Sequence, residues 1–281
     1  MDYGHPLRFG TFITPVNAPP QRPVELARLT ERLGYDLVTF QDHPYQPRFH
    51  DTWTLMSYVA AATTTVRIAP DVANLPMRQP AVLARSAASL DLLTGGRLDL
   101  GLGAGGFWDA IEAMGGRRLT PGQAVDALAE AIDIMRGVWD PDAGFPLHGG
   151  DYYPVRGAKR GPRPAHPIPL WIGARGPRML RLTGRTGDGW LPSLGYLTPI
   201  DLAAANARID DAAADAGRDP RAVERLANVA GTEGVDDLVH LALEHGISTF
   251  ISTGDDPAEM QRRAEEVNPA VRAAVAAERA R

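Results

Sequence analysis

The sequence predicts an α/β protein, a parallel (β/α)8 or TIM barrel, and three observations carry that prediction. Eight short β-rich runs alternate with longer segments whose apolar residues recur at helical spacing. Each run ends in glycine, proline or small polar residues, the punctuation of βα turns. The length, 281 residues, suits one barrel, a fold of about 250 residues, whereas an open doubly wound sheet usually carries five or six strands.

Strands are expected at residues 8–13, 37–41, 66–72, 97–103, 169–174, 189–192, 225–230 and 249–253. The first helix follows from PVELARLTERLG: Val24, Leu26, Ala27, Leu29 and Leu33 fall near one face, Pro23 sits at the first helical position, and Gly34 ends it. The same pattern recurs at 51–63, 81–93, 122–139, 177–186, 199–216, 235–245 and 257–267. Residues 140–166, rich in glycine and proline, break the rhythm and are expected to form an insertion, a lid over the mouth at strand 5. The alanine-rich tail, 268–281, is expected to be a loosely held helix, and the whole of 1–281 one barrel domain.

Composition narrows the function. Hydrophobic residues at 44% and charged residues at 22% describe an ordinary globular chain. With 29 basic and 34 acidic residues the net charge is −5, which leaves no broad cationic field for nucleic acid or anionic lipid. Lys159 is the one lysine, so the positive charge is almost all arginine, the side chain suited to bidentate contacts with phosphate or carboxylate. The absence of cysteine removes disulfides, thiolate metal sites and thiol nucleophiles. The N-terminus lacks a basic and apolar signal pattern, and the uncharged run at 52–66 falls short of the roughly 18 residues of a membrane span, so a cytoplasmic protein is expected.

In a barrel the functional groups lie at the carboxyl ends of the strands. Strand 2 runs into QDHPYQP, which places Asp42 and His43 at a strand end beside Tyr45. A histidine there serves as acid, base or polar ring partner, with the plainer alternative that Asp42 caps the next turn and His43 bonds to it. Strand 4 runs into a turn holding Gly103, Ala104, Gly105 and Gly106, where a flat ring or a phosphate can approach the backbone. Strand 5 ends in Gly173, Ala174, Arg175 and Gly176, with Pro177 and Arg178 opening a helix whose first amides suit an anion. No metal site is expected, because no strand end beyond the Asp42, His43, His50 and Asp51 region supplies a second imidazole. A serine nucleophile lacks its G-x-S-x-G turn.

Taken together, QDHP, LTGGRLDLGLGAG and IGARGPRMLRLTGRTGDGW resemble the bacterial luciferase-like family of flavin-dependent oxidoreductases, in order and over roughly residues 9–268. The resemblance implies a barrel that binds FMN or the deazaflavin coenzyme F-420 at the carboxyl ends of its strands. It implies that His43 lies against the reactive ring as a proton-transferring group, with Asp42 beside it. It places a non-proline cis peptide at Asp71-Val72 or its neighbour, behind the ring. It assigns Gly103, Ala104 and Gly105 to the ring or ribityl chain, and residues 173–178 to the phosphate. Sugar-phosphate dehydrogenases of the family carry a glutamate where this chain has Gly106, so that role does not transfer.

The resulting expectation is hydride transfer between coenzyme F-420 and a small organic substrate, in a pocket walled by Tyr45, Trp108 and Trp190. An FMN-dependent monooxygenase is the alternative, and a non-catalytic flavin-binding barrel the alternative of another class. The resemblance also implies possible pairing of two copies through helices beside strands 2 and 3, where segment 51–63 is apolar.

Overall fold

A computed structural model describes residues 1–281, the side chain of Ile200 excepted. The barrel strands are β1 (Arg8–Ile13), β2 (Leu37–Phe40), β3 (Arg67–Pro70), β4 (Ala73–Asn74), β5 (Leu100–Gly103), then β8 (Leu170–Ile172), β9 (Gly189–Trp190), β10 (Glu224–Val229) and β11 (Thr249–Thr253), since β6 (Leu147–His148) and β7 (Arg156–Ala158) form a separate hairpin. All barrel pairings are parallel, in the order β3-β2-β1-β11-β10-β9-β8-β5-β4. The sheet closes because β3 and β4 are two halves of one run. Ile68 bridges Leu98 near the bottom, and beyond Pro70 the chain shifts across and pairs Ala73 with Leu102 and Asn74 with Gly103. The peptide between the halves, Asp71-Val72, is cis.

Helices α1 (Arg22–Arg32), α2 (Thr52–Ala62), α3 (Pro80–Thr94), α4 (Trp108–Ala113), α5 (Pro121–Trp139), α6 (Pro177–Thr186), α7 (Pro199–Asp215), α8 (Val235–His245), α9 (Pro257–Arg262) and α10 (Asn268–Arg279) surround it. Several starts and stops follow from local chemistry. Asp51 accepts a hydrogen bond from the Thr54 amide at the head of α2, and Thr120 with Gln123 forms a reciprocal cap on α5. Gly95 ends α3 in the left-handed region, where a side chain would be strained. Inside the barrel, Leu37, Ala69, Trp171, Leu226 and Ile251 form the filled centre. Among the described residues, no helix is long and apolar enough to cross a membrane.

Two expectations change. The insertion does not cover the mouth: its hairpin packs outside α5, where Leu147 touches Gly137 and the Glu130 carboxylate accepts from the amides of Gly150, Tyr152 and Tyr153. The C-terminal helix is not loosely held. A π turn at Arg263–Val267 leads into α10, which buries Val271 and Val275 against Phe9 and Ile247, while Arg272 bonds to Leu7 O and Asp36.

Gly101 shows how tightly the closure is built. A Cβ there would lie 2.4 Å from the Pro70 carbonyl oxygen and 3.0 Å from Val72. Backbone on one side cannot yield, so Gly101→Ala is expected to destabilise the barrel by about 1–3 kcal/mol. Urea denaturation checks it, and an unchanged midpoint would show that the β3-to-β4 shift has slack.

Candidate functional site

The mouth is organised by one guanidinium. Arg78 donates from Nε and Nη2 to the two oxygens of Asp42, at 2.7 Å each, and from Nη2 to Asp51 at 2.8 Å. Asp42 also accepts from the Asn74 amide at 2.9 Å, and the Thr52 hydroxyl donates to the Gln41 carbonyl at 2.6 Å. Burial works against the Arg78 charge, but the two carboxylates outweigh it and hold its pKa above the ordinary value. The ends of β2, β4 and α2 are thereby tied together. Asp42, expected as a catalytic partner of His43, is 2% exposed with both oxygens engaged, and it lies behind the cavity and not in its lining.

His43, the next residue, does line the cavity. Its Nδ1 is 2.6 Å from the Tyr45 hydroxyl, and its ring meets Phe107 edge-on with centroids 5.3 Å apart. Burial lowers the His43 pKa, against the pull of the Asp42 charge. Burial and that same charge raise Tyr45. Both shifts favour the uncharged forms, and the contact with Tyr45 occupies Nδ1. Tyr45 supports His43 from behind and is no wall of the cavity.

The cavity at the mouth holds about 530 Å³. Val72 and Asp71 line it, with Gln41, Phe107, Ser193 and Asn228 among the other walls. Val72 is seated in glycine: a Cβ on Gly103 would lie 2.6 Å from its Cγ2, and one on Gly173 would lie 3.4 Å away. The glycines expected to admit a ring therefore first admit this valine. Asp71 is 8% exposed. Its Oδ1 accepts from Asn228 Nδ2 at 3.0 Å, and its Oδ2 is buried without a partner. Burial lifts its pKa from 3.8 to about 6, although hydrogen bonding by Asn228 and Thr39 pulls the other way.

A second cavity, about 690 Å³, adjoins the first and shares Gly173, Arg175 and Tyr196 with it. Arg175 stacks over Tyr196 at 4.9 Å and so stands between the two. Ala104, Gly105, Trp108 and Gly176 line this second space, and Gly176 caps α6, whose helix opens at Pro177. Trp108 belongs here, packed on Gly105, and not at the mouth. Two further residues are placed elsewhere than expected. Trp190 is wholly buried and donates to Ala174 O at 2.9 Å, so it braces β8 and walls no pocket. Arg178 turns to Asp126 of α5 at 2.7 Å, leaving Arg175 as the arginine that faces both spaces.

The residues missed from the sequence divide in two. Asn228 and Thr253 follow the interior residues Leu226 and Ile251 by two positions, so strand alternation carried the signal. Phe107, Ser193 and Tyr196 lie on loops, where no periodicity marks them.

The profile of the family described as luciferase-like monooxygenase matches residues 7–281. The chain belongs to the luciferase-like monooxygenase family. Members include the 5,10-methylenetetrahydromethanopterin reductase of Archaeoglobus fulgidus, to which this luciferase-like chain is 30% identical over 84% of its length and 67% of the reductase. A phthiodiolone/phenolphthiodiolone dimycocerosates ketoreductase of Mycobacterium tuberculosis is 34% identical over 62% of the chain and 45% of the ketoreductase, so the chain spans less than half of that relative. Among solved structures, an F-420-dependent secondary alcohol dehydrogenase with an F-420-acetone adduct shares the luciferase-like fold, with a TM-score of 0.82, 21% identity, and 95% and 99% of the two chains covered. Luciferase-like proteins are oxidoreductases and monooxygenases dependent on F-420 or a flavin, and this chain is an oxidoreductase of that kind.

Asp71 gives this site a measurable signature. Its folded pKa of about 6 exceeds the unfolded 3.8, so the folded state holds the extra proton between those values. The associated stability is full below pH 3.8 and is lost as pH rises through 6, about 3 kcal/mol in all from a shift of about two units. The urea stability of the wild type relative to Asp71→Asn is expected to fall by about that amount between pH 3 and 8. A flat difference would show that the carboxyl ionises as freely as in water.

Proposed function

We propose that the mouth cavity takes the ring of coenzyme F-420, that the second cavity takes its phosphate-bearing tail, and that the protein exchanges a hydride between that deazaflavin and a small organic substrate. The observation that carries this reading is the Val72 bulge. An apolar side chain, seated on Gly101, Gly103 and Gly173, forms part of the floor, and His43 lines the same space. The volumes, about 530 and 690 Å³, lie in the range of small-molecule sites. Gln41, Asp71, Ser193 and Asn228 in the lining fit a polar heterocycle better than an apolar ligand. A reductase and a ketoreductase among the relatives favour hydride transfer over oxygen chemistry.

When bound, coenzyme F-420 supplies a two-electron hydride couple. The rest falls to the chain. Val72 supports the ring and Phe107 helps to exclude water. Arg175 and the amides of Gly176 and, beyond Pro177, of Arg178 and Met179 hold the phosphate by charge-assisted and dipolar contacts. His43, its neutral form favoured by burial and its Nδ1 occupied by Tyr45, faces the reacting groups.

Side-by-side fluorescence titration with F-420 and FMN tests the reading, followed by assays of the holoenzyme. F-420 is expected to bind and FMN not, and His43→Ala is expected to keep cofactor affinity while turnover falls by about 10²–10⁴. Tight FMN binding alone would replace this reading with a reduced-flavin monooxygenase. Full turnover in His43→Ala would remove His43 from the chemistry.

Pairing of two copies belongs to the same proposal. A groove of about 570 Å³ runs between α2 and α3, and Val82 and Leu93 stand 64% and 86% exposed along it. Light scattering is expected to show a dimer for the wild type and a monomer for Leu93→Glu; a monomeric wild type would overturn the pairing.

A further inference from the structure

Asp71 is a carboxyl without a cation. The chain around it is otherwise careful with charge: Asp42 has Arg78, Asp99 has Arg67 at 2.5 Å, and Asp210 has Arg225 at 2.5 Å. Asp71 has one close hydrogen bond, from Asn228, whose Nδ2 also reaches Ser193 Oγ at 3.3 Å, and the Thr39 hydroxyl is near enough to favour its ionised form as well. The Thr39 hydroxyl beneath it donates to the Thr11 carbonyl at 3.2 Å. Two buried oxygens, Asp71 Oδ2 and Asn228 Oδ1, are left without partners on residues that line the mouth cavity. A structural role would be served as well by a neutral side chain, and an unpaired buried carboxyl is costly as an anion.

We propose that Asp71 is a second functional group of this cavity, one that carries a proton to the oxygen of a carbonyl substrate. The inference rests on the reading of the cavity as a hydride-transfer site. Burial lowers the His43 pKa and so favours its neutral ring, which suits it to accept or relay a proton more than to be the acid that supplies one. Asp71, raised by burial, holds a proton closer to neutrality than an ordinary carboxyl does, which is where a general acid works best. In the reducing direction, the carbonyl carbon receives the hydride supplied by reduced F-420. The C=O π pair moves onto oxygen and takes the Asp71 proton, giving the alcohol and leaving Asp71 as a carboxylate. Water reprotonates the carboxylate after the alcohol leaves, and the reverse sequence oxidises an alcohol. Asn228 Nδ2 stabilises the carboxylate between turnovers.

The charged and titratable groups that share the cavity with Asp71 are His43, after β2, Arg175, after β8, and Tyr196, on which Arg175 stacks. Asp42 lies behind the adjoining strand with its charge held by Arg78. From β10 and the turn after β9, Asn228 and Ser193 face it without charge.

Carbon-13 NMR of aspartate-labelled apoprotein tests the proton directly. One carboxyl resonance, absent in Asp71→Asn, is expected to titrate near pH 6, and Asn228→Ala is expected to move it upward by removing the hydrogen bond to the ionised form. With F-420 bound, cyclohexanone is expected to bind about tenfold more weakly per pH unit above that titration, and Asp71→Asn is expected to bind it weakly at every pH. Titration of the resonance near pH 4, or ketone binding indifferent to both pH and Asp71→Asn, would overturn the proposal. Failure of F-420 to bind would instead overturn the reading of the cavity, and the apoprotein titration separates the two failures.

Discussion

Arg78 stands where three elements meet, and its two carboxylate partners belong to different ones. Asp42 ends β2, Asp51 caps α2, and Arg78 itself follows the short strand β4. The pair with Asp42 is bidentate and largely buried, the geometry in which a guanidinium has no equivalent substitute. Removing one partner of such a pair leaves the other as a stranded charge, at a cost of about 3–5 kcal/mol. His43 follows Asp42 and Val72 precedes β4, so the same contact fixes the two residues that face each other's cavity walls. The position of the chemistry is thus set by an interaction that takes no part in it.

The second constraint is steric. Where the third strand passes from one neighbour to the other, Val72 is turned toward the fourth and fifth strands, and only residues without a Cβ leave room for it. Gly101, Gly103 and Gly173 supply that room. Closing the barrel and shaping the floor of the mouth are therefore one event. Arg175, stacked on Tyr196, then divides the space above into two connected parts, one suited to a ring and one beside a helix start suited to an anion.

Much of this was legible in the sequence. The eight strands and most helices follow from periodicity, and His43, Arg175 and Gly176 follow from their places at strand ends. The errors have common physical causes. Asp42, Arg178 and Trp190 are residue types that chemistry uses, but each has a partner remote in sequence: Arg78, Asp126 and the Ala174 carbonyl. Spacing cannot reveal such partners. The 140–166 segment looked like a lid because its composition is loop-like, whereas Glu130 on α5 gathers three of its amides and holds it down outside the barrel. Alanine in the last helix read as loose, although two valines one turn apart anchor it. Asp71 was read for its backbone alone, because burial without a cation cannot be seen from neighbours in sequence.

The proposed cofactor would span both cavities, with its ring on Val72 and its phosphate beside Arg175 and Gly176. A crystal structure of the protein with coenzyme F-420 tests it most directly. The account predicts the deazaflavin ring against Val72 within reach of His43, the tail passing Arg175, and the phosphate on the amides that open α6. A ring bound elsewhere, or a phosphate held away from Arg175 and Gly176, would contradict it.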